Sequence, residues 1–214
     1  MTTTVTAQDR FRTAYENRYT WDSSFPGYQA HLTLKQGDEV FQGKIQVKAD
    51  LSVEVSDFAD DTVKESVYNQ LRDIVTHRKR NSFEQAHGKN QFSFGQKDPT
   101  GAVEILVQGD AMGSNYKVRG DEICQVSRVM GPIAFTINTE ESLNTGNGYI
   151  SVRYHAIFRN PKTGELKGKR DFQETYEDFG GYYLPTSQVI DAIDAGGTTT
   201  KTEFLFSEIE LLKA

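Results

Sequence analysis

The stretch "GKIQVKADLSVEVS", Gly43 to Ser56, carries the clearest pattern in the chain. Its apolar residues alternate without a break with polar or charged ones, and they are Ile45, Val47, Ala49, Leu51, Val53 and Val55. A period of two places all of them on one face of a β-strand. The stretch therefore predicts a long strand, or two strands that share a face, in a sheet with one solvated side.

The same alternation recurs along much of the chain. Before the stretch, Tyr28 to Leu34 alternates in the same way. After Gln91 the sequence indicates only strands and turns, and segments built on Gly, Asn, Asp and Pro, such as Gly109–Ser114, mark the turns. The candidate strands lie near 91–96, 102–108, 115–119, 121–130, 133–139, 149–159, 166–178, 182–193 and 200–212. Short connections make neighbouring strands antiparallel. Near the end, Gly180-Gly181 supplies the backbone angles of a two-residue hairpin turn.

Two segments have the period of a helix instead. Thr6 to Asp9 resembles a capping box, and the apolar residues after it predict a short helix that ends near Asn17. Thr62 to Glu65 is a full capping box, which predicts the start of a second helix over 62–79. The apolar stripe of that helix is Val63, Val67, Leu71, Ile74 and Val75. Its basic end, "HRKR", is typical of the cations that favour a helix C-terminus.

These elements predict a mainly β (α+β) fold. Roughly ten or eleven strands in series exceed what a flat open sheet holds, so we expect a strongly curved antiparallel sheet or a half-open β-barrel. An N-terminal helix precedes the sheet, and the amphipathic helix packs on its concave face. We expect one domain over 1–214, made of a helix and link (1–20), first strands (27–58), a helix (62–79) and an antiparallel meander (91–212).

The composition and charge of the chain argue against some classes of function. The chain has 214 residues and a net charge of −6, which argues against a nucleic-acid-binding surface. The single cysteine allows no internal disulfide, and neither a signal sequence nor an apolar run that could span a membrane is found. We therefore expect a cytoplasmic protein, or a stromal one if a transit peptide was removed.

Motifs for catalysis, metals and cofactors are not found in the sequence. It contains no P-loop, no dinucleotide-binding glycine fingerprint and no G-x-S-x-G elbow. The histidines are scattered, and the parity of their strands places His31 and His155 on the solvated face. Cys124 lies in a strand pattern typical of an inert buried thiol. Carboxylates in "RDFQETYEDF" fit solvated strand positions. We therefore expect no cofactor and no metal, and no enzyme activity is assigned.

Aromatic residues suggest a ligand pocket instead. The chain has 13 Phe and 10 Tyr, many of them clustered, and tyrosine suits both core edges and pockets. A curved sheet holding one helix can leave an apolar cavity between them. The predicted cavity-lining residues are Tyr28, Leu32, Ile45, Val47, Leu71, Tyr154, Phe158, Tyr182 and Leu184. The alternative is that these bulky residues only fill the sheet.

Two resemblances extend this interpretation. The segments "AYENRYTWDSSFPGYQAHLTL" and "FQETYEDFGGYYLPTSQVI" resemble a family of uncharacterised proteins of cyanobacteria and plant plastids. The acidic-aromatic strand end, the Gly180-Gly181 turn and the following Leu184-Pro185 are similar to the lipoprotein-carrier type of curved β-sheet. That second resemblance implies a half-barrel that holds acyl chains, and it implies no site residues.

The sequence thus leaves three hypotheses. The leading one is a non-catalytic carrier that holds a hydrophobic small molecule, such as a lipid, pigment or isoprenoid. The second is a scaffold or assembly factor that binds another protein, of unknown identity. The third is an enzyme whose site is assembled from dispersed residues, such as His31 or His155 with acidic partners.

Overall fold

A computed structural model of the chain describes residues 5–109 and 114–213. The predicted turn over Gly109–Ser114 falls largely on 110–113, which lie outside the described residues. The helices are α1 Ala7–Glu16, α2 Asp61–Arg78 and α3 Phe83–His87. The strands are β1 Gly27–Gln36, β2 Glu39–Lys48, β3 Val53–Ser56, β4 Gln91–Lys97, β5 Val103–Gln108, β6 Asn115–Arg119, β7 Glu122–Met130, β8 Ile133–Asn144, β9 Tyr149–Arg159, β10 Leu166–Phe179, β11 Tyr182–Asp194 and β12 Thr199–Leu211.

The described strands form one sheet in the order β3-β2-β1-β12-β11-β10-β9-β8-β7-β6-β5-β4. Sequence neighbours lie side by side, and β1 also pairs with β12, antiparallel, so that the first and last strands meet inside the sheet. The two edges are therefore β3 and β4. The prediction of a mainly β chain built on one antiparallel sheet, with an N-terminal helix and an amphipathic helix, is confirmed.

The stretch Gly43–Ser56 forms two strands. Of the two possibilities that its alternating pattern allowed, one long strand or two strands that share a face, the structure has the second. β2 ends at Lys48 and β3 begins at Val53, and Leu51 in the tight turn between them has a φ of 67°. In the antiparallel pairing, Val47 lies opposite Val53 and Ile45 opposite Val55. Residues directly opposite each other point to the same side, so both strands keep one apolar face.

The contacts divide the chain into two compact units. The first comprises Met1–Tyr19, Asn81–Asp171 and Ala192–Thr198, and the second comprises Thr20–Arg80, Phe172–Asp191 and Thr199–Ala214. Strands β10 and β11 contribute residues to both. Within the described residues, none of the helices is long and apolar enough to cross a membrane.

The core of the first unit is aromatic. Helix α1 begins with the predicted capping box, in which Thr6 and Asp9 bond each other's backbone N–H groups, and it ends with Asn17 as C-cap. Its apolar face packs Phe11 and Tyr15 against α3 and the strands β5 to β7. Helix α3 was not predicted, because five residues are too few to show a helical period. It carries Phe83 and His87 into the same core.

Helix α2 belongs to the second unit, and its predicted stripe is buried in full: Val63, Val67, Leu71, Ile74 and Val75. The predicted capping box at Thr62 is wrong. The helix begins one residue earlier, and the Asp60 side chain accepts hydrogen bonds from the backbone N–H groups of Thr62 and Val63. At the other end Lys79 is the C-cap, while Arg78 is buried instead of solvated.

The Gly180-Gly181 hairpin is confirmed. Both glycines have positive φ, 62° and 95°, which is the left-handed conformation that a tight hairpin turn requires. The Asp178 side chain accepts a hydrogen bond from the Gly181 N–H at 2.6 Å. The turn therefore orients β10 and β11 as an antiparallel pair in the middle of the sheet.

Candidate functional site

The residues predicted to line a cavity divide between the two units. Seven belong to the second unit: Tyr28, Leu32, Ile45, Val47, Leu71, Tyr182 and Leu184. Tyr154 and Phe158 belong to the first, where Phe158 packs near Phe135 and beneath the guanidinium of Arg170. Most of the seven are almost fully buried, whereas Tyr182 is half-buried. Their role as ligand contacts stays a prediction.

The register of the sheet joins several of these residues into rows. Val53 on β3 lies opposite Val47 on β2, which lies opposite Tyr28 on β1. The next row runs from Val55 through Ile45 to Ala30. Directly opposite residues share a face, so the edge strand, β2 and β1 present one continuous apolar surface.

Helix α2 packs against this edge of the sheet, and the contact leaves an open groove. The groove has a volume of about 540 Å³ and is lined by Val53, Glu54, Val55, Ser56, Asp61, Lys64, Glu65 and Tyr68. Its exposed floor is mainly apolar, and its charged residues stand on both walls. We call it the β3–α2 groove. It is where the apolar rows of the sheet reach solvent.

Two ion pairs lie at or near the groove. Lys48 on β2 pairs with Glu54, and this hydrogen bond, with the attraction between the two charges, raises the pKa of the lysine. Lys44 pairs with Asp57 at 3.0 Å just beyond β3. Tyr68 is 36% exposed and lies beneath the guanidinium of Arg72. The groove therefore combines an apolar floor with a polar rim.

A buried polar chain lies elsewhere in the second unit. Arg78 at the end of α2 donates a hydrogen bond to the Tyr176 hydroxyl at 3.2 Å, and that hydroxyl donates to Glu174 at 2.6 Å. The Gln188 side-chain amide donates to the other Glu174 oxygen at 2.6 Å. Burial raises the pKa of Tyr176, so the phenol stays protonated and acts as a donor. Through these hydrogen bonds, the polar chain links the end of α2 to strands β10 and β11.

Sequence reasoning missed this polar chain. The carboxylates of "RDFQETYEDF" fitted solvated positions, yet Glu174 shares the partly buried face of Phe172 and Tyr176. Strand parity alone could have shown this, since residues two apart point the same way. Gln188 lies four residues after Leu184 on the same strand and therefore on the same face, and it is 1% exposed. No sequence signal marks Arg78, because its burial depends on how α2 lies on the sheet.

The Tyr28 hydroxyl oxygen and the Gln188 side-chain oxygen, both in the second unit, are among the buried polar atoms that have no hydrogen-bonding partner in the described part of the chain. Burial raises the pKa of Tyr28, and its ring packs at 6.0 Å from Trp21, which stacks on Phe25 at 4.2 Å. An unsatisfied buried hydroxyl destabilises a fold, so both atoms are points where a bound molecule or water would lower the free energy.

Tyr182 extends the aromatic group toward solvent. Its ring lies 5.2 Å from that of Phe25, and its hydroxyl donates to Asp22 at 3.2 Å. Desolvation and the Asp22 charge raise the pKa of this phenol. The aromatic-rich segment that connects α1 to β1 therefore contacts the start of β11 through Tyr182, within the second unit.

The histidines considered for catalysis have polar partners. His31 is exposed and lies 3.6 Å from Glu208. His155 contacts Glu140 through Nδ1 at 3.1 Å and Asn138 through Nε2 at 3.1 Å. Both of its ring nitrogens are therefore engaged by neighbouring side chains. Within the described residues, no group of three or more metal-binding side chains is found.

The thiol and the buried histidine are poor candidates as well. Cys124 donates to the Lys117 carbonyl at 3.4 Å, and burial raises its pKa, so the reactive thiolate is disfavoured. His87 lies inside the aromatic core of the first unit, 5.0 Å from the Phe11 ring and 4.8 Å from the Tyr15 ring. Burial and two nearby arginines lower its pKa to about 4.

Comparison with known families identifies the chain at family level. The model of a family described as "Protein of unknown function (DUF3386)" matches residues 2–212. The chain belongs to the DUF3386 family. The resemblance to an uncharacterised family stated from the sequence is thereby confirmed. No curated protein matches the sequence.

A solved structure is similar to this DUF3386 protein over nearly its whole length. It is the crystal structure of a LolA superfamily protein from Nitrosomonas europaea, with 12% sequence identity, covering 99% of this chain and 96% of that one. The TM-score is 0.35. A likeness this weak transfers no function.

Proposed function

We propose that this DUF3386 protein binds a hydrophobic small molecule, such as a lipid, pigment or isoprenoid, without catalysis. The observation that carries the proposal is the β3–α2 groove at the sheet edge, which is lined by Val53 and Val55, the outermost residues of the rows Val53–Val47–Tyr28 and Val55–Ile45–Ala30. An apolar molecule in the groove would cover Val53, Val55 and Tyr68. The polar end of that molecule would stay among the rim charges.

The size of the groove suits such a ligand. Its volume of about 540 Å³ falls inside the range of roughly 300–1,000 Å³ of small-molecule pockets. Burying about ten methylene groups at roughly 0.8 kcal/mol each would give about 8 kcal/mol before the cost of association. Once the cost of association is subtracted, the remaining binding free energy is modest, which supports reversible binding. A carrier needs reversible binding in order to release its ligand.

Helix α2 would control how deeply the ligand enters. The inner apolar residues, such as Leu32 and Leu71, are 1% exposed while α2 lies on the sheet. The helix is held at its end by Arg78, through Tyr176. A shift of α2 away from β3 would therefore widen the groove while the Arg78 end stays anchored.

Mass spectrometry of organic extracts tests the proposal. Protein purified without detergent should yield a hydrophobic compound, and the variant Tyr68→Glu should yield several times less of it, because a carboxylate on the groove wall opposes an apolar ligand. Phe94→Glu is the matched control, since Phe94 is 47% exposed on β4 in the first unit. Its yield should equal that of the unmodified protein.

Two results would contradict the proposal. The first is repeated absence of any extracted compound, combined with failure of added fatty acids to bind. The second is equal loss of ligand from both variants, which would place binding outside the groove. The first result would favour the hypothesis that the protein is a scaffold. Capture of one native protein partner would support that hypothesis.

A further inference from the structure

Five large apolar side chains are exposed in neighbouring turns and strand ends of the first unit. Val129, Met130 and Ile133 are 54%, 62% and 43% exposed around the β7–β8 turn. Leu166 at the start of β10 is 44% exposed, and Ile193 near the end of β11 is 39% exposed. Exposed apolar residues are normal when scattered, whereas a cluster marks an interaction surface.

The register places all five at one end of the sheet. Met130 pairs with Ile133 across the β7–β8 turn, and Ala134 on β8 pairs with Arg159 at the end of β9. In the β9–β10 turn, the backbone N–H of Asn160 donates to the Glu165 carbonyl at 2.9 Å, just before Leu166. The backbone of Ile193 in turn runs beside Gly168 on β10. We call these five residues the apolar tip.

Cations flank Leu166 of the apolar tip although the chain as a whole is acidic, whereas Asp191 and Asp194 flank Ile193. Segment 159–171 carries five of them, Arg159, Lys162, Lys167, Lys169 and Arg170, against two carboxylates, in a protein of net charge −6. Lys167 pairs with Glu165 at 3.0 Å and Lys169 with Asp171 at 3.0 Å, and these exposed pairs are weak. The segment therefore keeps an excess of positive charge beside the apolar side chains.

We propose that the apolar tip docks on the surface of an anionic lipid bilayer. Amphipathic elements lie at such interfaces by burying apolar side chains in the acyl boundary, while flanking lysines and arginines contact acidic headgroups. Long cationic side chains also reach the headgroups from a slightly buried position. The tip would bring the first unit to the membrane by several weak contacts that reverse readily.

The shape of the β7–β8 turn favours a bilayer over a protein partner. Consecutive strand residues point to opposite faces, and both Val129 and Met130 are more than half exposed. The turn thus presents apolar side chains on both of its faces at once. A protein surface would cover one face of such a turn, whereas a bilayer interface surrounds it.

Vesicle cosedimentation tests the proposal. The full chain should bind vesicles of phosphatidylcholine mixed with phosphatidylserine, and bind vesicles of phosphatidylcholine alone far more weakly. Met130→Ser combined with Ile133→Ser should weaken binding at least tenfold. Each of Lys162→Ala and Lys167→Ala should weaken it about fivefold, the effect expected of one cation at an anionic surface.

Matched variants elsewhere control for general surface effects. Val40→Ser removes an aliphatic side chain that is 57% exposed in the second unit, and Lys89→Ala removes an exposed lysine far from 159–171 in sequence. Both should bind vesicles like the unmodified protein. Circular dichroism should show all variants folded, because every substituted side chain is exposed.

Three outcomes would overturn the proposal. One is failure of the unmodified protein to bind anionic vesicles, and another is equal loss of binding in Val40→Ser and in the tip variant. The third is self-association in sedimentation velocity without lipid that the tip substitutions abolish, which would make the tip an interface between two copies.

Discussion

Acid should weaken the fold of the first unit through His87. The side chain is 7% exposed and lies among aromatic rings, and its Nδ1 is 3.3 Å from the Asn90 amide nitrogen. Burial, followed by the charges of Arg128 and Arg18, lowers its pKa from 6.5 to about 4. Folded His87 is therefore neutral at a pH where an exposed histidine already carries a proton.

The size and sign of the effect follow from these two values. The difference of about 2.5 pKa units corresponds to about 3 kcal/mol at 1.36 kcal/mol per unit. Below about pH 6.5 the unfolded chain binds a proton that the folded chain does not bind until about pH 4. The contribution of neutral His87 is fully present above pH 6.5, and it is lost as the pH falls to about 4.

Urea denaturation followed by circular dichroism measures this loss. Between about pH 6.5 and 4, the free energy of unfolding should fall by about 1 kcal/mol per pH unit more steeply than in His87→Gln, which cannot take up the proton. Hydrogen bonds from Thr100 and Lys117 lower the pKa of Asp98 to about 2, so its contribution is lost at a lower pH and does not interfere. If the free energy of unfolding fell equally with pH in the unmodified protein and in His87→Gln, the reasoning would be refuted.

Three substitutions make further predictions, all measured by urea denaturation at neutral pH. Tyr176→Phe should lower the free energy of unfolding by about 1–3 kcal/mol, because the lost hydroxyl donates to partly buried Glu174 and accepts from buried Arg78; an unchanged value would mean that solvent replaces the bonds. Tyr28→Phe, the same chemical change at a hydroxyl without a described partner, should be neutral or stabilise by up to about 1 kcal/mol; a clear loss would reveal a partner. Gly43→Ala should destabilise by about 1–3 kcal/mol, since a methyl group there overlaps both the Phe58 ring and the Ser56 backbone carbonyl oxygen; a neutral result would show that the ring and the neighbouring backbone both move freely.

The strands were predictable because each buries one face. Alternation gave β9 over 149–159 and β10 over 166–178, within one residue of the observed ends. Around Gly43–Ser56 the pattern showed the shared face, yet it could not place the turn, since Ala49 and Leu51 continue the alternation through it. Period-two patterns report which side is buried, and they do not report where the chain reverses.

The candidate site was predictable only in part. Ile45, Val47 and Leu71 were recognised as members of an apolar face and helix stripe. The β3–α2 groove was not predicted, because it depends on the distance between α2 and the edge strand. No local sequence pattern encodes that distance. The polar chain from Arg78 to Gln188 likewise joins residues that are about a hundred positions apart, so packing alone brings them together.

Photo-crosslinking is the most direct test of ligand binding in the groove. A hydrocarbon probe bearing a diazirine, irradiated with the full protein and followed by peptide mass spectrometry, should label peptides that contain Val53–Ser56 and Asp61–Tyr68. Tyr68→Glu should remove most of that label, and Phe94→Glu should leave it unchanged. Label spread evenly over the chain, or concentrated at other segments and unaffected by Tyr68→Glu, would contradict the account.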